Sequence, residues 1–266
     1  MLASEQIDNT FSDLYLRCPV LAYNYLRENI TIVVDYEQAK LVAIAIKELK
    51  LQTNSHPLVI SSTEMLQTHH DCCYTNLTLT YKNYIAAPQL VVVINGKIQF
   101  IELSSSYRPT RKVLNKLAFS HLVATFINLP VQQHFIYTIN DHYRRTKTNT
   151  QPLFNSNHVS RRVKSISKKI KLLLSTPTLS LAPPPTPTLG KHCFKPVLCK
   201  QFKKCWPMAD SWHIFQLLHL SLNEKLTYFE NNILSFNDMK TNIKPLIETQ
   251  KKQLNTELSQ KPYVNK

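Results

Sequence analysis

Four of the six cysteines are spaced so that their thiolates could hold a metal centre. Cys193, Cys199 and Cys205 are separated by five residues each, and Cys18 lies far upstream in the sequence. Four thiolates are the common ligand set of iron–sulfur clusters and of many structural zinc sites. Structural zinc usually binds closely spaced cysteine pairs, which this series lacks. The spacing therefore favours an iron–sulfur cluster, with zinc as the alternative.

A second group of residues with chemical potential is basic. The chain carries 32 Lys and Arg against 17 Asp and Glu, a formal net charge of +15. Residues 158–174 are predicted to form a helix with Val163, Ile166 and Ile170 on its apolar side. This face is either a solvated surface or a phosphate-binding surface, and the second interpretation makes nucleic acid the expected partner. The cationic side of the helix includes Arg161, Arg162, Lys164, Lys168 and Lys169.

The segments between these groups predict an α/β core. Apolar residues at 90–94 precede Asn95-Gly96, and a second apolar run follows at 98–103, which together predict a tight hairpin. Because the first of these strands is apolar on both faces, we expect the hairpin near the centre of a sheet. Strands and helices that alternate in this way are typical of a sheet flanked by helices. Further elements are predicted at 35–51 (helix), 111–126 (helix) and 135–139 (strand).

Composition excludes several classes of protein. With only two glycines, the chain cannot form the glycine-rich loops that cradle phosphates in nucleotide-binding proteins. No apolar run is long enough to predict a membrane span, and no secretory signal is recognised, so the cytoplasm is the expected location. A proline-rich connector is predicted at 175–190. We expect one domain at 1–206, closed by the four cysteines, and a helical extension at 207–266 with a polar tail from Lys251.

Three short stretches and the cysteine series together form a recognisable pattern. The stretches are 100–104 (Phe-Ile-Glu-Leu-Ser), 117–120 (Leu-Ala-Phe-Ser) and 137–144 (Tyr-Thr-Ile-Asn-Asp-His-Tyr-Arg). The pattern resembles bacterial RecB-like exonucleases of the PD-(D/E)xK superfamily, which are related to the CRISPR-adaptation nuclease and to AddB-type helicase–nucleases. The resemblance implies a restriction-endonuclease-like α/β core, with a mixed central sheet flanked by helices. It also implies a C-terminal cap held by a four-iron four-sulfur cluster on Cys18, Cys193, Cys199 and Cys205.

The resemblance further implies a metal-dependent nuclease site, from which this sequence departs. Such sites need two acids that bind Mg²⁺ or Mn²⁺ and a lysine two residues after the second acid. Glu102 stands in the place of the second acid, but Gln89 replaces the first acid and Ser104 replaces the lysine. The glutamine that relatives carry on the following helix corresponds to Ser120. Since one carboxylate holds a divalent cation weakly, we predict that the site is catalytically degenerate.

Glu102 is then expected to pair with a basic neighbour, Arg111 or Lys112. An active site that has migrated is the alternative, and it needs other ligands and another cation. The carboxylates available for it are Glu37, Glu64 and Asp71, and the cations are Arg108, Arg111 and Lys112.

Three functions follow from these expectations. The first is a catalytically inactive RecB-like protein that binds nucleic acid, foremost single-stranded DNA, or acts as a scaffold. The second is an active Mg²⁺- or Mn²⁺-dependent DNA exonuclease with a migrated site. The third is a protein-interaction remnant whose C-terminal helices dock on a partner through Trp212, Phe215 and Leu218.

Overall fold

The chain forms two compact units, Met1–Pro185 and Thr186–Lys266. The boundary differs from the predicted one at 206 because Phe202 and Trp206 pack on Phe215 and Phe229 of the second unit. The computed structural model describes residues 7–27, 36–50, 52–61, 71–144, 151–175, 186–194, 198–206, 213–242 and 246–259.

Nine α-helices and nine strands are defined in the described residues. The helices are α1 (Asn9–Arg17), α2 (Pro19–Arg27), α3 (Tyr36–Leu49), α4 (Arg111–Phe126), α5 (Ser160–Leu174), α6 (Phe202–Cys205), α7 (Leu222–Glu230), α8 (Phe236–Asn242) and α9 (Glu248–Ser259). The strands are β1 (Gln52–Asn54), β2 (Leu58–Ile60), β3 (Cys72–Tyr74), β4 (Leu77–Tyr81), β5 (Tyr84–Ala86), β6 (Leu90–Ile94), β7 (Lys97–Ser104), β8 (Val131–Ile139) and β9 (Phe154–His158).

A six-stranded mixed sheet is the framework of the first unit. Its strand order is β1-β3-β6-β7-β8-β9. The pairs β1–β3 and β7–β8 are parallel, and the other neighbours are antiparallel. A separate three-stranded sheet has the order β2-β4-β5. The smaller sheet packs on α4, where the ring of Tyr81 contacts that of Phe126.

The hairpin of β6 and β7 occupies the centre of the large sheet, as its sequence predicts. Asn95 and Gly96 have φ angles of 51° and 70°, the left-handed conformation that a tight hairpin turn requires. The β6 residues from Leu90 to Val93 are fully buried because side chains cover both faces of the strand. The register pairs Leu90 with Ile101, so the next residues outward, Gln89 and Glu102, lie opposite one another.

Helix α4 connects the parallel strands β7 and β8. It begins after Thr110, whose hydroxyl accepts a hydrogen bond from the backbone N–H of Val113. It ends before Asn128, which adopts a positive φ of 58°, and Pro130 then prevents its continuation. A parallel pair of strands needs such a crossover, and α4 supplies it.

The two faces of the sheet are covered by different helices. Ile101 and Leu103 of β7 pack in one apolar cluster with residues of α3, including Ala45. Ile98 and Phe100 pack in another cluster with residues of α4 and α5. Because side chains alternate along a strand, Glu102 follows Phe100 onto the face that α4 covers. The first unit is thus an α/β structure with a mixed central sheet flanked by helices.

The second unit is helical, and its core is small. Ile214, Leu217, Phe236, Met239 and Leu254 form its buried centre. Leu254 belongs to α9, which continues to Ser259. The first part of the predicted polar tail, from Lys251 to Ser259, thus belongs to this helix, and Leu254 and Leu258 give it a packing face. Within the described residues, no helix is long and apolar enough to cross a membrane.

Candidate functional site

Glu102 lies in the C-terminal half of β7, on the face of the sheet that α4 covers. Its side chain is almost completely buried. Its Oε1 accepts a hydrogen bond from the backbone N–H of Gln89 at 3.1 Å. In return, the Oε1 of Gln89 accepts a hydrogen bond from the backbone N–H of Leu103 at 2.6 Å. Gln89 therefore occupies the position beside Glu102 that the sequence assigned to it, and its carboxamide ties the two strands together.

Lys116 of α4 neutralises the buried carboxylate. Its Nζ lies 2.8 Å from Glu102 Oε2, and the lysine side chain is 26% exposed. The prediction that Arg111 or Lys112 would pair with Glu102 is wrong. Both residues are exposed in the first turn of the helix, whereas Lys116 lies one turn further along, over the strand.

The pKa of Glu102 reflects two opposing influences. Burial raises it above its ordinary value, while the charge and hydrogen bond of Lys116 and the backbone N–H of Gln89 lower it. Burial is the larger influence. A divalent cation at this place would have to displace Lys116 and would find a single carboxylate, which is a poor ligand set for Mg²⁺ or Mn²⁺.

Ser104 and Ser120 are buried near this pair but make other hydrogen bonds. Ser104 Oγ accepts a hydrogen bond from the backbone N–H of Ser106 at 3.3 Å. Ser120 Oγ donates to the backbone carbonyl of Lys116 at 3.2 Å, within its own helix. These bonds stabilise local backbone and supply neither a charge nor a ligand to Glu102.

The other acids and bases considered for a migrated site are not assembled around Glu102. Asp71 accepts a hydrogen bond from the backbone N–H of Asn95 at 2.8 Å, so it lies at the turn, the opposite end of the hairpin. Arg108 is exposed. Glu64 and the side chain of Glu37 lie outside what the structure describes.

The cysteines are divided between the two units. Cys18 belongs to the first, and Cys193, Cys199 and Cys205 belong to the second. The backbone N–H of Cys199 donates to the carbonyl of Cys193 at 2.8 Å, which brings these two residues together. In the described part of the chain, no three His, Cys, Asp or Glu side chains converge in a way that could hold a metal ion.

The basic helix is amphipathic, as its sequence predicts. Val163 and Ile170 of α5 are buried against α4 and the sheet, and the helix contains no acidic residue. Its outward face is a dense row of cations, which we call the α5 basic face. This face consists of the exposed side chains Arg161, Arg162, Lys164, Lys168 and Lys169.

A hydrogen-bonded histidine cluster lies next to α5, and it was not predicted from the sequence. His134 of β8 is fully buried, and its Nε2 lies 3.1 Å from Nδ1 of His121 on α4. Ser160 Oγ accepts the backbone N–H of His134 at 2.9 Å and lies 2.9 Å from Nε2 of His158. The sequence pattern placed His121 on the apolar side of the helix at 111–126, as a core residue. The one other sequence signal for the cluster was the presence of a histidine, His134, in the strand β8.

Burial keeps His121 and His134 uncharged at neutral pH. It lowers the pKa of His121 to about 4, and the charge of Lys164 acts in the same direction. It lowers the pKa of His134 to about 3, with smaller contributions from His121, Lys164 and His158. With two neutral imidazoles in contact, one ring donates and the other accepts.

Comparison of the chain with protein-family models, with curated proteins and with solved structures gives no match. The class that the fold and the site define is an α/β protein with a mixed central sheet and one buried, lysine-paired carboxylate. The resemblance to RecB-like nucleases stays a prediction from the sequence.

Proposed function

We propose that the chain is a catalytically inactive protein of RecB-like nuclease ancestry that binds single-stranded DNA through the α5 basic face. The observation that carries the proposal is this face itself: five of the six exposed cations on a helix that has no acid. Such a row tracks a phosphate backbone, because each neutralised phosphate releases condensed counterions.

Rigid attachment of the helix supports a binding role. The buried side chains of Val163 and Ile170 hold α5 against the first unit, so its cations form an ordered surface. The net charge of +15 adds a long-range attraction for polyanions.

The environment of Glu102 supports the absence of catalysis. A nuclease site needs a metal that activates water, and that metal needs several hard oxygen ligands facing solvent. Glu102 is 1% exposed and already bonded to Lys116 and Gln89. Its carboxylate therefore makes structural contacts and has no free oxygen ligand facing solvent for a metal.

The test is a charge reversal with a matched control. Binding of labelled oligo-dT is measured by fluorescence anisotropy for the native chain and for the variant Arg161→Glu/Arg162→Glu/Lys168→Glu/Lys169→Glu. The control reverses four exposed cations on or near the other face of the sheet: Lys40, Lys47, Lys50 and Lys97.

Both variants lose the same net charge, so a difference between them reports the location of the site. We expect the α5 variant to lose at least about a hundredfold in affinity, and its salt dependence should weaken by roughly one counterion per lost phosphate contact. The control should lose much less. Equal losses in the two variants would refute the α5 basic face as the binding site.

The position of Lys116 favours one second candidate, an exonuclease whose lysine has moved to α4. The pair of an acid and a lysine 2.8 Å apart is the observation behind it. Degradation of labelled single-stranded DNA in Mn²⁺ that disappears in both Glu102→Gln and Lys116→Met would establish this activity. Degradation that persists in both variants would indicate a contaminating nuclease. If the native chain shows no degradation, DNA binding remains the proposed function.

The four-iron four-sulfur cluster on Cys18, Cys193, Cys199 and Cys205 stays a prediction, as does the cytoplasmic location. Anaerobic purification followed by iron, sulfide and zinc analysis tests the cluster. About four iron and four sulfide per chain would establish it. One zinc per chain would favour the alternative, and a folded protein without either metal would refute both.

A further inference from the structure

The second unit contains a partly open cavity with mainly apolar walls. Its volume is about 120 Å³. By comparison, a dry apolar cavity of about 150 Å³ in another protein holds benzene. The cavity is therefore of a size for one six-membered ring. Its walls are built chiefly by Leu189, Phe202, Trp206, Phe215, Phe229 and Leu234.

The aromatic walls are fixed by contacts with one another. The ring of Trp206 stands at 89° to that of Phe229, with centroids 4.9 Å apart. Phe215 stacks on Phe194 at 19° and 4.9 Å, and it also contacts Phe202 and Phe229. Such edge-to-face and stacked pairs hold the rings in defined orientations. The cavity thus offers a preformed aromatic enclosure.

We propose that this cavity binds a single planar six-membered aromatic ring. The aromatic walls recognise the ring through stacked and edge-to-face contacts. Pyrimidine bases belong to this class.

The ring has two possible sources, a free compound or a base of a DNA strand. Exposed Lys203 and Lys204 flank Phe202 on α6 and favour the strand, because cations beside aromatic side chains are typical of single-strand binding. The strand source rests on the proposed function, whereas the ring site itself does not. The two can therefore fail separately.

Thymine is the first probe, and tryptophan emission is the readout. The chain contains two tryptophans, so Trp212→Phe leaves Trp206 as the sole indole. The fluorescence is excited at the red edge of the indole absorption, where thymine does not absorb. We expect saturable quenching by thymine in this background, because the ring binds against Trp206.

A cavity-filling variant gives specificity to the readout. Leu234→Phe in the Trp212→Phe background places a larger side chain in the cavity, and Leu218→Phe adds the same ring at an exposed position as the control. We expect Leu234→Phe to weaken thymine binding at least about tenfold, as expected for losing a well-packed apolar contact. The control should bind as the background does. Absence of saturable quenching in the folded background, or equal binding by Leu234→Phe, would overturn the proposal.

Oligo-dT and an abasic strand of equal length distinguish the sources. Quenching by oligo-dT but not by the abasic strand assigns the ring to the DNA, and quenching by thymine alone assigns it to a free compound. The α5 charge-reversal variant separates the two proposals. If it still binds thymine but not DNA, both the ring site and the α5 surface are supported. If neither the native chain nor the α5 variant binds DNA, while thymine still quenches the tryptophan emission, only the proposed function fails.

Discussion

Helix α4 covers two polar groups on one face of the sheet, and they become neutral by different means. Glu102 is neutralised by a partner, because Lys116 places its ammonium 2.8 Å away. His121 and His134 are neutral in themselves, since burial lowers both pKa values well below neutrality. The protein should therefore lose stability at Glu102 when Lys116 is removed, and at the two histidines when the pH falls.

Among single substitutions, loss of the lysine is expected to have the largest effect. Lys116→Met leaves the carboxylate of Glu102 buried and without its counter-charge, and we expect a loss of about 3 kcal/mol in the free energy of unfolding. Urea denaturation at neutral pH measures it. The control is Lys112→Met, an exposed lysine on the same helix that should change stability by less than about 0.5 kcal/mol.

A double variant shows whether the loss arises from the unpaired charge. Glu102→Leu/Lys116→Met removes both charges and should be more stable than Lys116→Met alone, because a buried pair can be replaced by apolar side chains. If the double variant is the less stable of the two, the pair does not act as described.

Acid is expected to destabilise the protein through the histidine cluster. The folded pKa values of His121 and His134, about 4 and about 3, lie below the ordinary value of 6.5. The unfolded chain therefore binds more protons as pH falls below 6.5. Each histidine then removes up to about 1.4 kcal/mol of stability per pH unit until its folded pKa is reached.

Urea denaturation between pH 7.5 and roughly 4.5 checks this slope, and His121→Gln/His134→Gln should flatten it. Glu102 acts in the opposite direction, since its raised pKa makes its own contribution fall as pH rises. An equally steep acid slope in the double histidine variant would assign the pH dependence to other groups.

A second carboxylate beside Glu102 tests the metal-binding capacity of the first group. Gln89→Glu should lower stability by about 1 kcal/mol without a cation, because two buried like charges repel. Mn²⁺ should then raise the melting temperature of this variant more than that of the native chain. The control is Gln132→Glu, since Gln132 Oε1 likewise accepts a strand N–H, that of Ile98 at 2.7 Å. Equal effects of Mn²⁺ on both variants would argue against a latent metal site.

Two of the buried serines, Ser120 and Ser160, should differ by the smallest margin. Ser120 donates to the carbonyl of Lys116 in its own helix, so Ser120→Ala should cost less than about 0.5 kcal/mol. Ser160 accepts the backbone N–H of His134 and contacts His158, so Ser160→Ala should cost about 1–2 kcal/mol. Thermal unfolding of both variants decides. A larger loss of stability in Ser120→Ala than in Ser160→Ala would show that Ser120 contributes to the polar contacts around Glu102.

Local patterns predicted the elements around the site correctly. The Asn95-Gly96 turn, the apolar runs beside it and the periodicity of α4 each depend on neighbouring residues, and all of them are confirmed. Amphipathic spacing likewise predicted the exposed cations of α5. The division of the chain after Pro185 was not predicted, because small apolar contacts in the second unit leave a weak sequence signal.

The sequence by itself determined the α/β core, the central hairpin and the amphipathic α5. It did so because strand alternation and helix periodicity are local properties. Only the tertiary structure decided that Lys116 pairs with Glu102, and that His121 and His134 meet. It also assembled the aromatic cavity around Trp206. Those contacts join residues distant in sequence, and only the packing within each unit brings them together.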